Sequence, residues 1–235
     1  LKATWNLSFG VLDGQDSQAV VVNGTVYVTS SYNKVWSVDG ATGKVNWKYE
    51  RELPGDVFPK LCCDVVNRGV AVYKNKVYLA TLDAHVVALD NATGKVVWDK
   101  KIGDYTYAET FTLMPMALRG KIIFGTAGAE YGVRGWIAAI DADTGAPVWK
   151  TYTIPGPGEP GNETWPGESW KYGGGSAWIT GSTGGTPRAS SSSASTATSP
   201  RCRTSSVWSS PRRSARRSWS RACWRCWPSS IGASP

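Results

Sequence analysis

Three stretches of this chain repeat at a fixed interval, and that interval decides what it can fold into. Ser37-Val38-Asp39-Gly40-Ala41-Thr42-Gly43, followed by Trp47, returns as Ala88-Leu89-Asp90-Asn91-Ala92-Thr93-Gly94 with Trp98. It returns again as Ala139-Ile140-Asp141-Ala142-Asp143-Thr144-Gly145 with Trp149. Asp39 to Asp90 is 51 positions, and Asp90 to Asp141 is 51 again. Such a period means that each unit is one supersecondary structure whose apolar face is covered by its neighbours.

The interior of each unit reads as strands. Alternating apolar residues flank a short turn at 19–22, Asn23-Gly24 and 25–29; at 69–73, Lys74-Asn75 and 76–81; and at 116–118, Arg119-Gly120 and 121–125. Alternation of this length predicts strands, and Asn-Gly is a strong hairpin signal. A third strand, such as 86–89, leads into Asp-x-x-Thr-Gly, where the Asp can cap backbone N–H groups and the Gly can take positive φ. A fourth strand is expected to end on the Trp. Four strands per unit of about fifty residues is the blade of a β-propeller. The recurring Trp is expected to pack between neighbouring blades, a structural role rather than a chemical one.

The third unit departs from the pattern. Asn75 lies 15 positions before Asp90, whereas Gly120 lies 21 before Asp141. The extra residues fall within 125–135, a Gly-rich stretch holding Glu130 and Arg134. Insertions into one unit gather in loops at one face, where sites are built, so Glu130 becomes a candidate. Residues 154–168 read as a long irregular loop, and 170–180 as a return to order.

The formal charge of +8 is a property of the C-terminal stretch. Residues 182–235 hold nine Arg and 17 Ser, with no Lys or acidic residue, while 1–181 nets −1. A nearly neutral body offers no footprint for nucleic acid or an anionic membrane. No apolar run approaches the roughly 20 residues of a membrane span. A chain opening on Leu1 without a basic-then-apolar leader is expected to be a processed or partial one. Three readings compete for the tail: a disordered Ser/Arg segment binding RNA, a disulfide-bearing appendage, or an off-frame translation of G+C-rich DNA. Trp208, Trp219, Trp224 and Trp227 sit poorly in a solvated segment, and the Arg, Ser, Pro, Trp and Cys bias suits the third. The propeller is therefore expected over 1–181, and an off-frame or disordered tail over 182–235.

Cys223 and Cys226 have haem-attachment spacing, but Trp227 follows where that motif needs His. The only histidine is His85, expected to be exposed or packed in a strand, so a His-rich metal site has no ligands here. Adjacent Cys62 and Cys63 are either two small core residues or a pair closing a strained ring, which would imply an oxidising compartment. The Asn-x-Ser/Thr triplets at Asn6, Asn23, Asn91 and Asn162 are better read as turns than as glycan sites.

Three runs resemble the quinoprotein alcohol dehydrogenases: Leu61-Cys62-Cys63-Asp64-Val65-Val66-Asn67-Arg68-Gly69; Gly128-Ala129-Glu130-Tyr131-Gly132-Val133-Arg134-Gly135; and Trp170 through Gly173-Gly174-Gly175 to Ser176-Ala177-Trp178. The similarity runs from about Trp5 to Gly181. It implies an all-β propeller, eight-bladed in that family, of which this chain holds the first three to four blades. It implies pyrroloquinoline quinone as cofactor, beside Ca²⁺ or a lanthanide. A disulfide between Cys62 and Cys63 would cover one face of the quinone and Trp178 the other, flat polarizable surfaces suited to a planar ring system. Arg68 would bond its polar oxygens. Asp16, Thr112 and Ser176, with the backbone of Gly128 and Ala129, would complete the contacts, and Glu130 would ligate the cation.

Asp16 stands where many members carry Glu, Ala127 where some carry Ser, and Ser176 where others carry Thr. The family's catalytic Asp, its Asn metal ligand and a further Arg lie in later blades. The resemblance thus implies oxidation of small primary alcohols, a cytochrome c-type acceptor and a periplasmic location, with no catalytic base in this stretch and no activity from it alone. The competing reading is a non-catalytic propeller scaffold of the outer-membrane assembly type.

Overall fold

The computed structural model describes residues 2–177, so Trp178 and the tail expected at 182–235 lie outside the described residues. Within that range twelve strands form three antiparallel sheets of four. The first sheet holds β1 (Val20–Val22), β2 (Thr25–Ser30), β3 (Lys34–Asp39) and β4 (Val45–Glu50) in sequence order. The second holds β5 (Ala71–Tyr73), β6 (Lys76–Ala80), β7 (His85–Asp90) and β8 (Val96–Lys101). The third holds β9 (Met116–Leu118), β10 (Lys121–Gly125), β11 (Trp136–Asp141) and β12 (Pro147–Tyr152). These are propeller blades, as the repeat predicts.

The turn chemistry follows from the residues named above. Val22 pairs with Thr25, Tyr73 with Lys76 and Leu118 with Lys121, so each two-residue turn closes a hairpin. Asp39 Oδ1 accepts from the N–H groups of Ala41 and Thr42, at 3.1 and 2.7 Å, and from Thr42 Oγ1 at 2.7 Å. Asp90 and Asp141 repeat the arrangement. Bonds from the Thr just before each Gly hold the three carboxyls below the usual carboxylate range. Gly43, Gly94 and Gly145 all take positive φ, at 76°, 71° and 72°.

One expectation needs correcting. The fourth strand does not end on the Trp: β4, β8 and β12 continue past it to Glu50, Lys101 and Tyr152. The added residues pair with the start of the third strand, as in Lys34 with Glu50 and His85 with Lys101. Each sheet also carries a register shift at the same place, between Ser37 and Val38, Ala88 and Leu89, and Ala139 and Ile140.

The core lies between sheets. Tyr27, Val35 and Trp47 of the first pack on Val77, Leu79 and Val87 of the second. Tyr78, Val86 and Ala88 of the second pack on Ile122, Phe124 and Trp136 of the third. At each junction an indole lies on the glycine of the following unit's turn: a Cβ on Gly43 would stand 2.6 Å from Trp5, and one on Gly94 2.6 Å from Trp47. A Cβ on Gly145 would meet Trp98 at 3.2 Å. Trp5 Nε1 donates to the Gly40 carbonyl at 3.0 Å and Trp47 Nε1 to the Asn91 carbonyl at 2.9 Å. In the third unit the equivalent carbonyl, Ala142, accepts instead from the Tyr78 hydroxyl at 2.9 Å, and Trp98 Nε1 is left buried without a partner among the described residues.

A buried ion network joins the first two blades. Arg51, just beyond β4, donates from Nε and Nη2 to Asp83 at 2.7 Å each, and from Nη1 to Asp99 at 2.9 Å. His85 Nδ1 is 2.7 Å from the other Asp99 oxygen, so the lone histidine belongs to this network.

Two outcomes follow from this packing. Gly94→Ala forces a side chain into both the indole and a positive φ, and is expected to cost about 2–4 kcal/mol in urea denaturation. Trp47→Ala is expected to cost about 3–5 kcal/mol. The double variant should lose less than their sum, because removing the indole removes the clash; simple additivity would contradict the stacking. The second outcome concerns acid. Burial raises the Asp99 carboxyl, but hydrogen bonds from Arg51 and His85 outweigh it and hold the group below its ordinary 3.8. A depressed carboxyl stabilises the fold above its unfolded pKa and loses that contribution as pH falls through its folded one. The urea midpoint should therefore drop as pH falls from 3.8, and Asp99→Asn should flatten that acid limb.

Candidate cofactor site

Residues from three blades converge around Arg68. Its backbone N–H donates to the Thr112 carbonyl at 3.1 Å, and its own carbonyl accepts from the Gln18 N–H at 3.0 Å. The side chain follows the same path: Nη1 donates to the Thr112 carbonyl at 3.3 Å, and Nη2 to Asp16 Oδ2 at 3.3 Å. The candidates Asp16, Arg68 and Thr112, one from the lead into each blade, are therefore adjacent.

Asn67, which sequence reasoning passed over, holds this junction. It is buried, donates from Nδ2 to the Ala80 carbonyl at 2.9 Å, and accepts the Gly69 N–H on Oδ1 at 3.0 Å. Its carbonyl accepts from Thr29 Oγ1 at 3.0 Å, which also lies 2.9 Å from Ser17 Oγ, next to Asp16. A polar residue between Val66 and Arg68 was the available signal, but its partners are remote in sequence.

The third-unit insertion builds the opposite wall. A 3₁₀ turn at Ala129–Tyr131 is bracketed by Gly128 at φ 96° and Gly132 at φ 75°. A side chain at Gly128 would also collide with the Ala108 carbonyl, so only glycine fits there. This turn leaves Glu130 exposed and brings it beside the cysteines. The Cys62 thiol is pushed up to about 12, first by burial, then by Cys63 and by the charge of Glu130; the Gly128 N–H works against the rise. Cys62 is therefore within electrostatic reach of Glu130, with the Gly128 N–H directed at its sulfur. Both cysteines are free thiols here, so the disulfide that the resemblance implies is not formed in this structure.

A third strip, Gly173 to Ala177, lies along the insertion. The Gly135 N–H donates to the Gly174 carbonyl at 2.6 Å and the Ala177 N–H to the Thr126 carbonyl at 3.1 Å. A Cβ on Gly174 would be 3.4 Å from that of Ala129, which places Ala129 against the strip carrying Ser176. Arg134, by contrast, gives Nε and Nη2 to the Ile154 carbonyl at 2.9 and 2.6 Å and stacks on Tyr152, so it braces the loop.

The donor set fits a flat, oxygen-rich cofactor. Thr112 Oγ1 and Ser176 Oγ are buried without a hydrogen-bond partner among the described residues. Buried hydroxyls rarely stay unpaired; Thr110 and Ser169 share this state, and of the four, Thr112 and Ser176 are the ones the resemblance assigns to the cofactor. Arg68 adds a permanent cation with a planar donor face. For a cation the fit is partial: among the described residues no three His, Cys, Asp or Glu side chains gather, and Glu130 is a single carboxylate. A cleft of about 670 Å³ is lined by Lys60, Glu109, Tyr131, Arg134, Trp170 and Tyr172 among others, and contains none of the candidate residues. No helix among the described residues is long and apolar enough to cross a membrane.

Comparison with known proteins agrees with this geometry. The sequence model of the PQQ family, the β-propeller domain of glucose, ethanol and alcohol dehydrogenases, matches residues 9–184. The chain is 41% identical over 199 residues to quinoprotein alcohol dehydrogenase PedH of Pseudomonas putida, covering 77% of this chain and 33% of that protein. It is 39% identical over 201 residues to the lanthanide-dependent methanol dehydrogenase of Methylacidiphilum fumariolicum, covering 76% of this chain and 33% of that one. A solved europium-containing methanol dehydrogenase superposes with a TM-score of 0.70 at 37% identity, over 75% of this chain and 34% of that chain. The chain spans about a third of the length of these relatives. With a family model matched over residues 9–184 and relatives about 40% identical over most of its length, the chain belongs to the PQQ-dependent dehydrogenase β-propeller family.

Proposed function

We propose that this stretch is the cofactor-cradling part of an enzyme that oxidises primary alcohols to aldehydes with pyrroloquinoline quinone and a bound Ca²⁺ or lanthanide ion. The observation that carries the reading is the convergence of Asp16, Arg68 and Thr112 from three blades, with Cys62 and Glu130 brought together by the insertion. The lanthanide dependence of one relative, and the europium in another, favour a hard cation at Glu130.

Each residue has a separable task. Arg68 binds and orients polar oxygens, with Asp16 limiting where its guanidinium can swing. Thr112 and Ser176 offer hydroxyls already stripped of water. Cys62 and Cys63 present sulfur to one flat face; joined by a disulfide oxidant of an oxidising compartment, each losing one hydrogen, they would form the rigid platform. Trp178 would cover the other face. Glu130 contributes one charge and one or two oxygens to a cation, whose remaining ligands come from later blades. Bound in this cradle, the quinone supplies the two-electron acceptor for alcohol oxidation.

The proton-abstracting carboxylate also belongs to later blades, so the 235-residue chain by itself is inactive. The complete enzyme is periplasmic, passes electrons to a cytochrome c-type acceptor and has no nucleic-acid partner.

Binding tests the cradle, and turnover tests the truncation. The purified chain with Ca²⁺ or La³⁺ is expected to bind the quinone, followed by absorbance or fluorescence. Arg68→Met should weaken binding about 10- to 100-fold, the loss of charge-assisted hydrogen bonds worth roughly 1.5–3 kcal/mol. Cys62→Ala with Cys63→Ala should weaken it by at least about tenfold. Equal affinity in all three proteins would remove the cradle from consideration, and dye-linked alcohol oxidation by this chain would overturn the claim of inactivity.

A further inference from the structure

The cysteine pair hangs between two anchored points. Before it, the 3₁₀ turn Phe58–Lys60 closes with the Leu61 N–H donating to the Phe58 carbonyl at 3.2 Å. After it, Asp64 sits at φ 61° and its Oδ1 accepts the Val65 N–H at 2.8 Å, while the Val65 carbonyl accepts the Tyr32 N–H at 3.0 Å. Both anchors lie on the pair's own side of the site. The Leu61 carbonyl instead reaches the third blade, accepting the Tyr131 hydroxyl at 3.1 Å across 70 residues of sequence.

Tyr131 is the last residue of the turn that presents Glu130, and that turn is stiff. Its N–H donates to the Gly128 carbonyl at 3.0 Å, and Gly132 closes back on Ala129 at 3.1 Å. The ring itself is 50% exposed, so packing alone does not explain a tyrosine here. What distinguishes it from phenylalanine is the hydroxyl, and the hydroxyl bonds the residue beside Cys62.

We propose that the Tyr131 hydroxyl is a positioning strap that sets the distance between the Cys62-Cys63 pair and the Glu130 carboxylate. On the cofactor reading above, on which this rests, that distance is the one between the quinone's covered face and its cation. Without the strap the Leu61 carbonyl turns to water, and the Gly128 N–H on the Cys62 sulfur is left as the weaker tether to the third blade. The Glu130 turn keeps its own internal bonds, so the two halves of the site drift apart while each stays folded.

The test is hydrogen–deuterium exchange on the purified chain and on Tyr131→Phe, with Tyr172→Phe as a control on the same cleft. In Tyr131→Phe the segment 61–65 is expected to exchange about three- to tenfold faster, the scale of one neutral hydrogen bond. Exchange in β6, β7 and β11 should not change, and Tyr172→Phe should match the parent throughout. Unaltered exchange at 61–65 overturns the proposal. So does faster exchange across all three blades, which would make Tyr131 a general stabiliser. A quinone arm separates this proposal from the reading beneath it. If the quinone fails to slow exchange at 61–65 in the parent chain, the cofactor reading fails while the faster exchange of Tyr131→Phe still supports the strap. If the quinone protects both proteins with equal affinity, the strap's role at the cofactor site is overturned and the cofactor reading stands. A loss of quinone affinity of about three- to tenfold confined to Tyr131→Phe supports both.

Discussion

An indole lying flat on a glycine holds successive units of this protein together, and most other features answer to it. The Trp must come from the outer strand of one blade, and the Gly from the turn of the next, so both recur at one interval. The turn must leave the glycine bare, which Asp39, Asp90 and Asp141 achieve by taking up the N–H groups before it. The shared register shift beside each Trp gives the outer strand the same local bend in every blade. Where the indole's own hydrogen bond is lost, at Trp98, Tyr78 takes the carbonyl instead. That substitution implies that stacking, rather than the indole N–H, is the invariant part of the joint.

Regular joints between blades fix where the loops leading into them lie. Main-chain bonds run from Gln18 to Arg68 and from Arg68 to Thr112, so the innermost segments of three blades are laced by backbone before any side chain acts. The Arg68–Asp16 pair, with Asp16 well exposed, adds little stability in such a setting. Its consequence is directional: the guanidinium is held in one orientation by the Thr112 carbonyl and Asp16. Arg51 with Asp83 is the contrasting case, since Asp83 is only 6% exposed and needs its partner to be tolerated at all.

What was legible in the sequence was local. Asn23-Gly24, the Asp-x-x-Thr-Gly turns and the alternation around them each concern residues within a few positions, and the strands lie where those signals put them. The strand ends beyond Trp47, Trp98 and Trp149 were missed because the repeated motif stops at the Trp, and pairing with β3, β7 and β11 extends the strands past it. Asn67 and the Arg51 network were illegible for the same reason: Ala80, Thr29, Asp83 and Asp99 come near only after blades pack. The pairing state of Cys62 and Cys63 was implied by resemblance alone, and both are free thiols here.

A perfectly repeated propeller presents identical loops around its axis, whereas an asymmetric cofactor with a flat face and a charged edge needs unlike ones. The symmetry therefore has to be broken where the chemistry is, and the period shows where. The second unit gains a cysteine pair ahead of its first strand, and the third gains extra residues between β10 and β11. These two irregularities meet, through Tyr131 and Leu61 and through Gly128, Glu130 and Cys62, while the regular parts of the same blades serve packing and ion pairing between blades. Departures from a repeat are thus better guides to a site than the repeat itself, because the repeat is already accounted for by the need to stack.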